Sequence, residues 1–214
     1  MSERANFSGL AIGAPGSGKT TKIRRWVHDF LLANPTGIAI VHDTQGQFGD
    51  MCASYATVEE FVHAARRAAD ERLTIQRSIA ITMDDSQHVA EFAVALGERH
   101  NARKPIVRMP IFLAWDETSM LDGTGSTHIG RLDNRINTTR RHLGIQTAAN
   151  LQRPGALPRG MYELATDVVI FRQTSEDAAR DLERNLGLSK MTLQPMLTAP
   201  KYRYAHWRSG LGLV

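Results

Sequence analysis

The sequence has a single cysteine, Cys52, among its 214 residues, so no disulfide can form within the chain. Disulfides are typical of oxidising compartments, and their absence fits a reducing one. The chain also lacks an apolar run of the ~18–20 residues that a membrane span requires, and its first residues lack the basic and apolar stretches of a secretory signal. Repeats and low-complexity tracts are missing as well. We therefore expect a soluble, intracellular globular protein.

Lysine is also scarce, with 5 residues against 21 arginines, and the net charge is +4. A mildly basic chain permits a nucleic-acid partner but does not require one. Arginine is the residue that makes bidentate contacts to phosphate and reaches into neighbouring active sites. A GC-rich coding genome would produce the same bias toward arginine, so the composition alone does not decide between these explanations.

Short apolar runs alternate with segments of helical period. The strand-like runs are Leu10–Ile12, Ile38–Val41, Ile79–Ile81, Ile111–Trp115, Ile145–Leu151, Val168–Phe171 and, with alternating polarity, Tyr202–Trp207. Helical segments are predicted from Lys19, from Thr57, from Asp84 or Asp85, around Ile129, Leu132, Ile136 and Leu143, and from Asp177 to Leu186. Strands that are apolar throughout and alternate with helices predict a mostly parallel sheet covered on both faces, an α/β fold of three layers.

The length predicts one domain over residues 1–214. We expect its core to cover about residues 7–188. The C-terminal extension of about residues 189–214 could form a short strand hairpin or a surface for a partner.

Between the first strand and the first helix, the sequence matches the phosphate-binding motif G-x-x-x-x-G-K-[ST] at every fixed position. The matching residues are Gly13, Ala14, Pro15, Gly16, Ser17, Gly18, Lys19 and Thr20, followed by Thr21. Glycines let consecutive backbone N–H groups point at a triphosphate, and the helix N-terminus adds a partial positive charge. Lys19 is expected to neutralise the β- and γ-phosphates, and the Thr20 hydroxyl to bind Mg²⁺. The alternative is a glycine-rich turn without a ligand.

Two carboxylates, Asp116 and Glu117, follow directly after the apolar run Ile111–Trp115. The carboxyl end of a buried strand is the edge at which α/β proteins bind ligands. Asp116 is expected to hold Mg²⁺, and Glu117 to orient and polarise the attacking water. Such a pair is also common at the start of a solvated loop. A water-activating glutamate favours hydrolysis over phosphate transfer, and the absence of an Asn-Lys-x-Asp sequence favours ATP over GTP.

Four further segments resemble the FtsK/HerA superfamily of DNA-translocating ATPases over about residues 10–207. His42–Phe48 is similar to the family's Asp-Pro-x-Gly-Glu-Tyr stretch, although Thr44 stands where the family has proline. The other three are Arg141–Ile145, which resembles Arg-x-x-Gly-Ile, Leu151–Pro154, which resembles Thr-Gln-Arg-Pro with leucine in place of threonine, and the strand Asp167–Arg172. The resemblance implies a RecA-like P-loop NTPase fold with ATP and Mg²⁺ as cofactors.

The resemblance also implies two catalytic roles outside the phosphate loop and the carboxylates. Gln152 would be the polar sensor that bonds the γ-phosphate or the water, and Arg141 would be the finger that reaches the nucleotide of an adjacent subunit. Arg140 and Arg153 are the rival fingers. Without the resemblance, Gln152 is a strand-end residue that caps backbone groups, and Arg141 is an exposed helical arginine.

Among the family's branches, the short chain is most similar to the genome-packaging ATPases of tailless double-stranded DNA viruses. By analogy with that branch, this implies a ring of six subunits that acts on double-stranded DNA in the host cytoplasm or at the packaging vertex of a virion. A capsid component or a viral membrane component would be a further partner. The loop Met120–Thr127, with Arg131 and Arg135 behind it, could line the pore of such a ring.

Three alternatives remain open at this stage. The chain could be a plasmid or mobile-element translocase or a filamentous-phage assembly ATPase within the same superfamily. It could instead be a nucleotide or small-molecule kinase that uses the same loop, or a binding module that ATP gates without hydrolysis. No pairing of its histidines with one another or with Cys52 indicates a zinc site.

Overall fold

We describe the protein from a computed structural model, which covers residues 7–83, 86–101, 109–116, 136, 139–156, 159–173 and 175–213. Within these ranges the strands are β1 (Ser8–Ile12), β2 (Ile38–His42), β3 (Ala53–Tyr55), β4 (Ser78–Ile81), β5 (Ile111–Trp115), β6 (Ile145–Leu151), β7 (Asp167–Phe171), β8 (Tyr204–Arg208) and β9 (Gly212–Leu213). The helices are α1 (Lys19–Ala33), α2 (Val58–Asp70), α3 (Ser86–Asn101), α4 (Arg159–Glu163), α5 (Glu176–Leu186) and α6 (Lys190–Leu197), with a 3₁₀ turn at Pro154–Ala156. Residues 139–143, just before β6, are helical as well, as predicted around Leu143.

The strands form one sheet in the order β3-β4-β2-β5-β6-β1-β7-β8-β9. Strands β1 to β7 are parallel, and β8 and β9 run antiparallel to their neighbours. Ile12, the last residue of β1, lies beside Leu151 of β6 and Ile170 of β7. The segments that follow these strands therefore emerge together at the carboxyl edge of the sheet.

Helices cover both faces of the sheet, and the alternation of side chains along each strand divides the core in two. In β1, Leu10 and Ile12 belong to one core cluster, whereas Ala11 between them belongs to the other. The Ala11 cluster receives the buried face of α1, including Ile23 and Val27. The opposite cluster receives the buried residues of α2, α3, α5 and α6. The predicted three-layer α/β architecture with a mostly parallel sheet is confirmed.

The helix ends follow local sequence signals. Thr57 Oγ1 accepts the Glu60 N–H at 3.2 Å, and the Glu60 carboxylate accepts the Ala56 N–H at 2.7 Å, so the start of α2 is capped from both sides. At the start of α5, the Ser175 hydroxyl accepts the Ala178 N–H at 3.3 Å, and Gly187 ends this helix with a left-handed φ of 65°.

Several elements differ from the sequence-based expectation. Helix α5 begins at Glu176 because Ser175 provides the cap, one residue before the predicted start. The last long strand is Tyr204–Arg208 rather than Tyr202–Trp207, since a turn occupies Tyr202. The short elements β3, α4 and α6 had no predicted counterpart. Helix α6 contains Pro195.

The C-terminal extension belongs to the central sheet. All five residues of β8 pair with β7, from Asp167 opposite Arg208 to Phe171 opposite Tyr204, and β9 pairs with β8. The expected strand hairpin is therefore present.

In the part of the chain that the structure describes, no helix is long and apolar enough to cross a membrane. The predicted caps Asp84 and Asp85, the helix residues Ile129 and Leu132, and the loop Met120–Thr127 with Arg131 and Arg135 lie outside the described residues.

Candidate active site

The loop between β1 and α1 is tied to both strands that flank β1. The Gly13 N–H donates to the Leu151 carbonyl of β6 at 3.0 Å, and the Ala14 N–H donates to the Arg172 carbonyl, just after β7, at 2.8 Å. These bonds hold the loop at the carboxyl edge of the sheet, between the ends of three parallel strands. This edge is where open α/β sheets bind their ligands.

Two glycines of this loop have no room for a side chain. A Cβ atom on Gly13 would lie 2.6 Å from the Cβ of Phe171. Gly18, which immediately precedes α1, has a φ of 107°, and a Cβ atom there would lie 3.0 Å from Cδ1 of Tyr202. Other residues at either position would shift the backbone of the loop.

Lys19, the first residue of α1, is only 6% exposed. Its Nζ donates to the Ala14 carbonyl at 2.9 Å, so the side chain folds back over the loop. The first turn of α1 carries no acidic residue. The charge of Lys19 therefore adds to the positive end of the helix dipole, which favours an anion at this position.

A buried carboxylate lies two strands away, at the same edge. Asp116 follows β5, is 4% exposed, and donates its backbone N–H to the His42 carbonyl at 3.1 Å. From the neighbouring strand β6, the Asn150 Nδ2 donates to Asp116 Oδ1 at 3.0 Å and also to the Asp116 carbonyl. Asn150 therefore fixes the orientation of the carboxylate. The sequence argument missed it, although an amide near the end of an apolar strand is the signal that could have identified it.

These groups line one open cleft of about 470 Å³. Predicted site residues in its wall are Pro15, Gly16, Gly18, Lys19, Thr20, Thr21, Asp116 and Gln152. Four further wall residues were not predicted, namely Gln45, Gln47, Asn150 and Tyr202. The Thr20 hydroxyl and the Asp116 carboxylate are oxygen donors in the same cleft. Because Mg²⁺ prefers one or two protein oxygens together with phosphate oxygens, this donor set fits Mg²⁺.

The turn after β2 forms one wall of the cleft and is held by a buried carboxylate. Asp43 is fully buried, and its two carboxylate oxygens accept the N–H groups of Gln47 and Phe48, each at 2.9 Å. The segment His42–Phe48 therefore contributes a structural acid, while Gln45 and Gln47 face the cleft.

Arg24 of α1 makes hydrogen bonds to the turn after β2, which forms this wall of the cleft. Its guanidinium donates to the Gln47 carbonyl at 2.6 Å and to both oxygens of Asp50, at 2.7 and 2.5 Å. The hydrogen bonds to Asp50 raise the pKa of Arg24, and the same pair lowers the pKa of Asp50. These contacts connect α1 to the turn after β2.

Two other groups near the site have shifted pKa values. Burial lowers the pKa of the Lys22 ammonium, with Arg25 as the next cause. Burial also raises the pKa of the Cys52 thiol to about 11, so this cysteine stays protonated and has no nucleophilic role near neutral pH.

Among the described residues, no group of three or more histidine, cysteine, aspartate or glutamate side chains could hold a metal ion.

No protein-family model and no curated protein sequence matches the chain. Among solved structures, the chain is similar to the genome packaging NTPase B204 from Sulfolobus turreted icosahedral virus 2 in complex with AMPPCP. The TM-score is 0.70 and the identity 14%, over 98% of this chain and 96% of that one. The chain has the fold of this viral packaging NTPase.

Two other solved structures share the packaging-NTPase fold. One is VirB4 of Thermoanaerobacter pseudethanolicus, with a TM-score of 0.66 and 10% identity over 96% of this chain and 88% of that one. The other is the pCW3 conjugation coupling protein TcpA, with a TM-score of 0.62 and 17% identity over 98% of this chain and 59% of that one. These neighbours confirm the predicted fold, a mostly parallel α/β sheet of the P-loop NTPase type.

The three finger candidates occupy different places in the fold. Arg140 is fully buried, and its guanidinium donates to the carbonyls of Phe7 at 3.1 Å and Leu164 at 3.0 Å. These bonds hold it inside its own chain, which rules it out as a finger. Arg141 is exposed and precedes β6, at the amino edge of the sheet, whereas Arg153 is exposed and follows β6, at the carboxyl edge.

The remaining predicted residues lie in the loop, at the end of β6 or outside the described residues. Ala14 and Ser17 are buried within the loop rather than in the wall of the cleft. Gln152 is half-buried in the wall, directly after β6. Glu117 lies outside the described residues, so its role remains a prediction from the sequence.

Proposed function

We propose that the chain is an ATP-hydrolysing motor that translocates double-stranded DNA and packages a viral genome into a preformed capsid. The main support is that Lys19, Asp116 and Gln152, on three different elements, line one cleft beside the phosphate-binding loop. The similarity to a viral genome packaging NTPase in complex with AMPPCP supports both the nucleotide and the task.

Each group in the cleft would have its own role toward the triphosphate, the metal or the attacking water. The loop from Gly13 to Thr20 and the helix N-terminus would bind the β- and γ-phosphates, and Lys19 would neutralise their charge. Thr20 and Asp116 would hold Mg²⁺, which would supply positive charge that stabilises the transferring phosphoryl group. Glu117 would orient the attacking water, and Gln152 would hydrogen-bond the γ-phosphate or that water. The leaving group is ADP, and the water oxygen ends on inorganic phosphate.

The position of Arg141 favours hydrolysis between subunits. Strand β6 spans seven residues, about 20 Å at the usual rise per residue, and separates Arg141 from the cleft of its own chain. An arginine side chain is too short to cover that distance. Arg141 would instead reach the cleft of an adjacent subunit in a homo-oligomeric ring, for which six subunits are the family expectation. Arg153, by contrast, follows the cleft residue Gln152 at the carboxyl end of β6.

Replacing Arg141 with alanine should leave ATP binding unchanged and lower kcat about 100-fold, because one cation is lost from the charge that develops on the transferring phosphate. Mixed rings test the subunit assignment. Arg141→Ala subunits keep an intact site, and Glu117→Gln subunits supply an intact Arg141, so mixing the two should restore part of the turnover. If mixed rings form and no activity returns, the finger is not Arg141, and Arg153→Ala becomes the variant to examine.

Asn150 offers a test of the metal site. Asn150→Ala should raise the Mg²⁺ concentration for half-maximal ATP hydrolysis about tenfold, because the Asp116 carboxylate loses the amide that orients it. Gln146→Ala is the matched control, since Gln146 is an amide on the same strand but at its opposite end. An unchanged Mg²⁺ dependence in Asn150→Ala would contradict the assignment of Asp116 as a metal ligand.

The DNA-translocating activity is tested by measuring ADP release with and without DNA and by measuring the mass of the assembled protein. Linear double-stranded DNA should stimulate ADP release, and mass measurement should show a ring. A monomeric protein whose ATP turnover ignores DNA would contradict the motor. A chain that releases ADP only when a small-molecule acceptor is supplied would be a kinase.

A second candidate is a translocase of a plasmid or other mobile element, because the fold is also similar to VirB4 and to a conjugation coupling protein. Capsid genes beside the coding sequence would support packaging, with the protein in the host cytoplasm or at a virion vertex and a capsid or viral membrane component as partner. Relaxase or pilus genes there would support transfer instead.

A further inference from the structure

Tyr202 lies at the rim of the cleft, in the turn that joins α6 to β8. Its ring packs on Gly18, since a Cβ atom on that glycine would lie 3.0 Å from Tyr202 Cδ1 and 3.8 Å from Cε1. The residue lines the cleft and is nevertheless 68% exposed. Only part of the aromatic surface is therefore used for packing, and the remainder is open to a ligand.

The backbone at Tyr202 has a conformation that disfavours a side chain. Its φ is 67°, in the left-handed region where glycine is the usual residue. The Arg203 N–H donates to the Pro200 carbonyl at 3.2 Å, which closes the turn around Lys201 and Tyr202. A glycine at this turn position would relieve the strain. An aromatic residue held in a strained turn beside a ligand cleft indicates a functional reason for its side chain.

The strand order shows which part of a nucleotide would reach Tyr202. The groups assigned to the γ-phosphate and the metal, Asp116 and Gln152, follow β5 and β6, on one side of β1. Tyr202 precedes β8, on the other side of β1, beyond β7. A triphosphate bound along the loop with its γ-phosphate toward Asp116 therefore places the nucleoside on the side of Tyr202.

We propose that Tyr202 is the residue that binds the nucleobase, through stacking of the base on the exposed face of its ring. This inference rests on the proposed ATP-binding function of the loop and adds to it the position of the base. Aromatic side chains stack on bases because every base has a π-face, and the interaction does not require a hydrogen-bond partner. The base stack and the phosphate loop would then make separate contributions to the affinity for ATP.

Calorimetric titrations with ATP and with inorganic tripolyphosphate, each with Mg²⁺, separate these contributions. Tyr202→Ala should weaken ATP binding about tenfold and change tripolyphosphate binding less than twofold, because tripolyphosphate has no base. Tyr202→Phe should bind ATP within about twofold of the wild type. Tyr204→Ala is the matched control, since Tyr204 is also an exposed tyrosine but packs on Phe171 and is absent from the cleft wall.

Two results would overturn the assignment. One is ATP affinity in Tyr202→Ala equal to that of the wild type, and the other is an equal loss of ATP and tripolyphosphate affinity, which would mean that the variant disturbs the loop. Should the alanine variant fail to fold, Tyr202→Gly removes the ring without backbone strain, and the same two titrations decide. Wild-type protein that binds neither ligand would refute the proposed function itself, a separate outcome.

Discussion

The Lys19→Ala variant should lose ATP binding, with an affinity roughly 1000-fold below that of the wild type. The reason is that Lys19 is the one loop residue with a full positive charge, and it is only 6% exposed, in a low-dielectric position where a charge pair with phosphate is strong. Titration calorimetry with Mg²⁺ and ATP measures the change. We expect no large loss of thermal stability, because the Lys19 side chain covers the loop and contributes little to either apolar core.

Lys22→Ala is the matched control for this experiment. Lys22 lies three residues further along α1, is half-buried, and has its ammonium 5.3 Å from the ring centres of Trp26 and Tyr204. It does not line the cleft. ATP affinity should therefore be retained in Lys22→Ala. Wild-type affinity in Lys19→Ala, or equal losses in both variants, would refute the assignment of the phosphate-binding loop.

The Glu117→Gln variant should bind ATP as the wild type does and lower kcat about 1000-fold, the range lost with a catalytic base. The substitution keeps the shape of the side chain and removes the charge that polarises water. Single-turnover experiments with radiolabelled ATP would show ATP bound but uncleaved. Asp116→Asn provides the comparison, because loss of the metal-binding carboxylate should raise the Mg²⁺ concentration required for hydrolysis rather than trap ATP.

An unchanged rate of ADP release in Glu117→Gln would remove Glu117 from the mechanism. Wild-type protein that binds ATP and never hydrolyses it would point to the binding-module alternative. In that case neither the wild-type protein nor Glu117→Gln would release ADP.

The parts that the sequence predicted well are those encoded by contiguous residues. The loop motif, the apolar strands β1, β5 and β6 and the helix start at Thr57 each depend on neighbours within a few positions. Parallel strands bring their carboxyl ends to one edge, so the position of Asp116 near the loop followed from topology alone.

The parts that were missed depend on contacts between distant segments. Arg140 was predicted as a rival finger, yet its guanidinium is buried by hydrogen bonds to carbonyls that are 133 and 24 residues away. Asn150 acquires its role only because β6 lies beside β5. Tyr202 reaches the cleft because the C-terminal extension joins the sheet next to β7. Helix α6 was missed because Pro195 lies inside it.

A crystal structure with Mg²⁺ and a non-hydrolysable ATP analogue tests the central claim most directly. The account predicts the β- and γ-phosphates inside the loop Gly13–Thr20, within about 3 Å of Lys19 Nζ, and the metal beside Thr20 and Asp116. The base would lie toward β8. A nucleotide bound away from the loop, or a loop whose N–H groups are filled by the protein's own side chains, would contradict it.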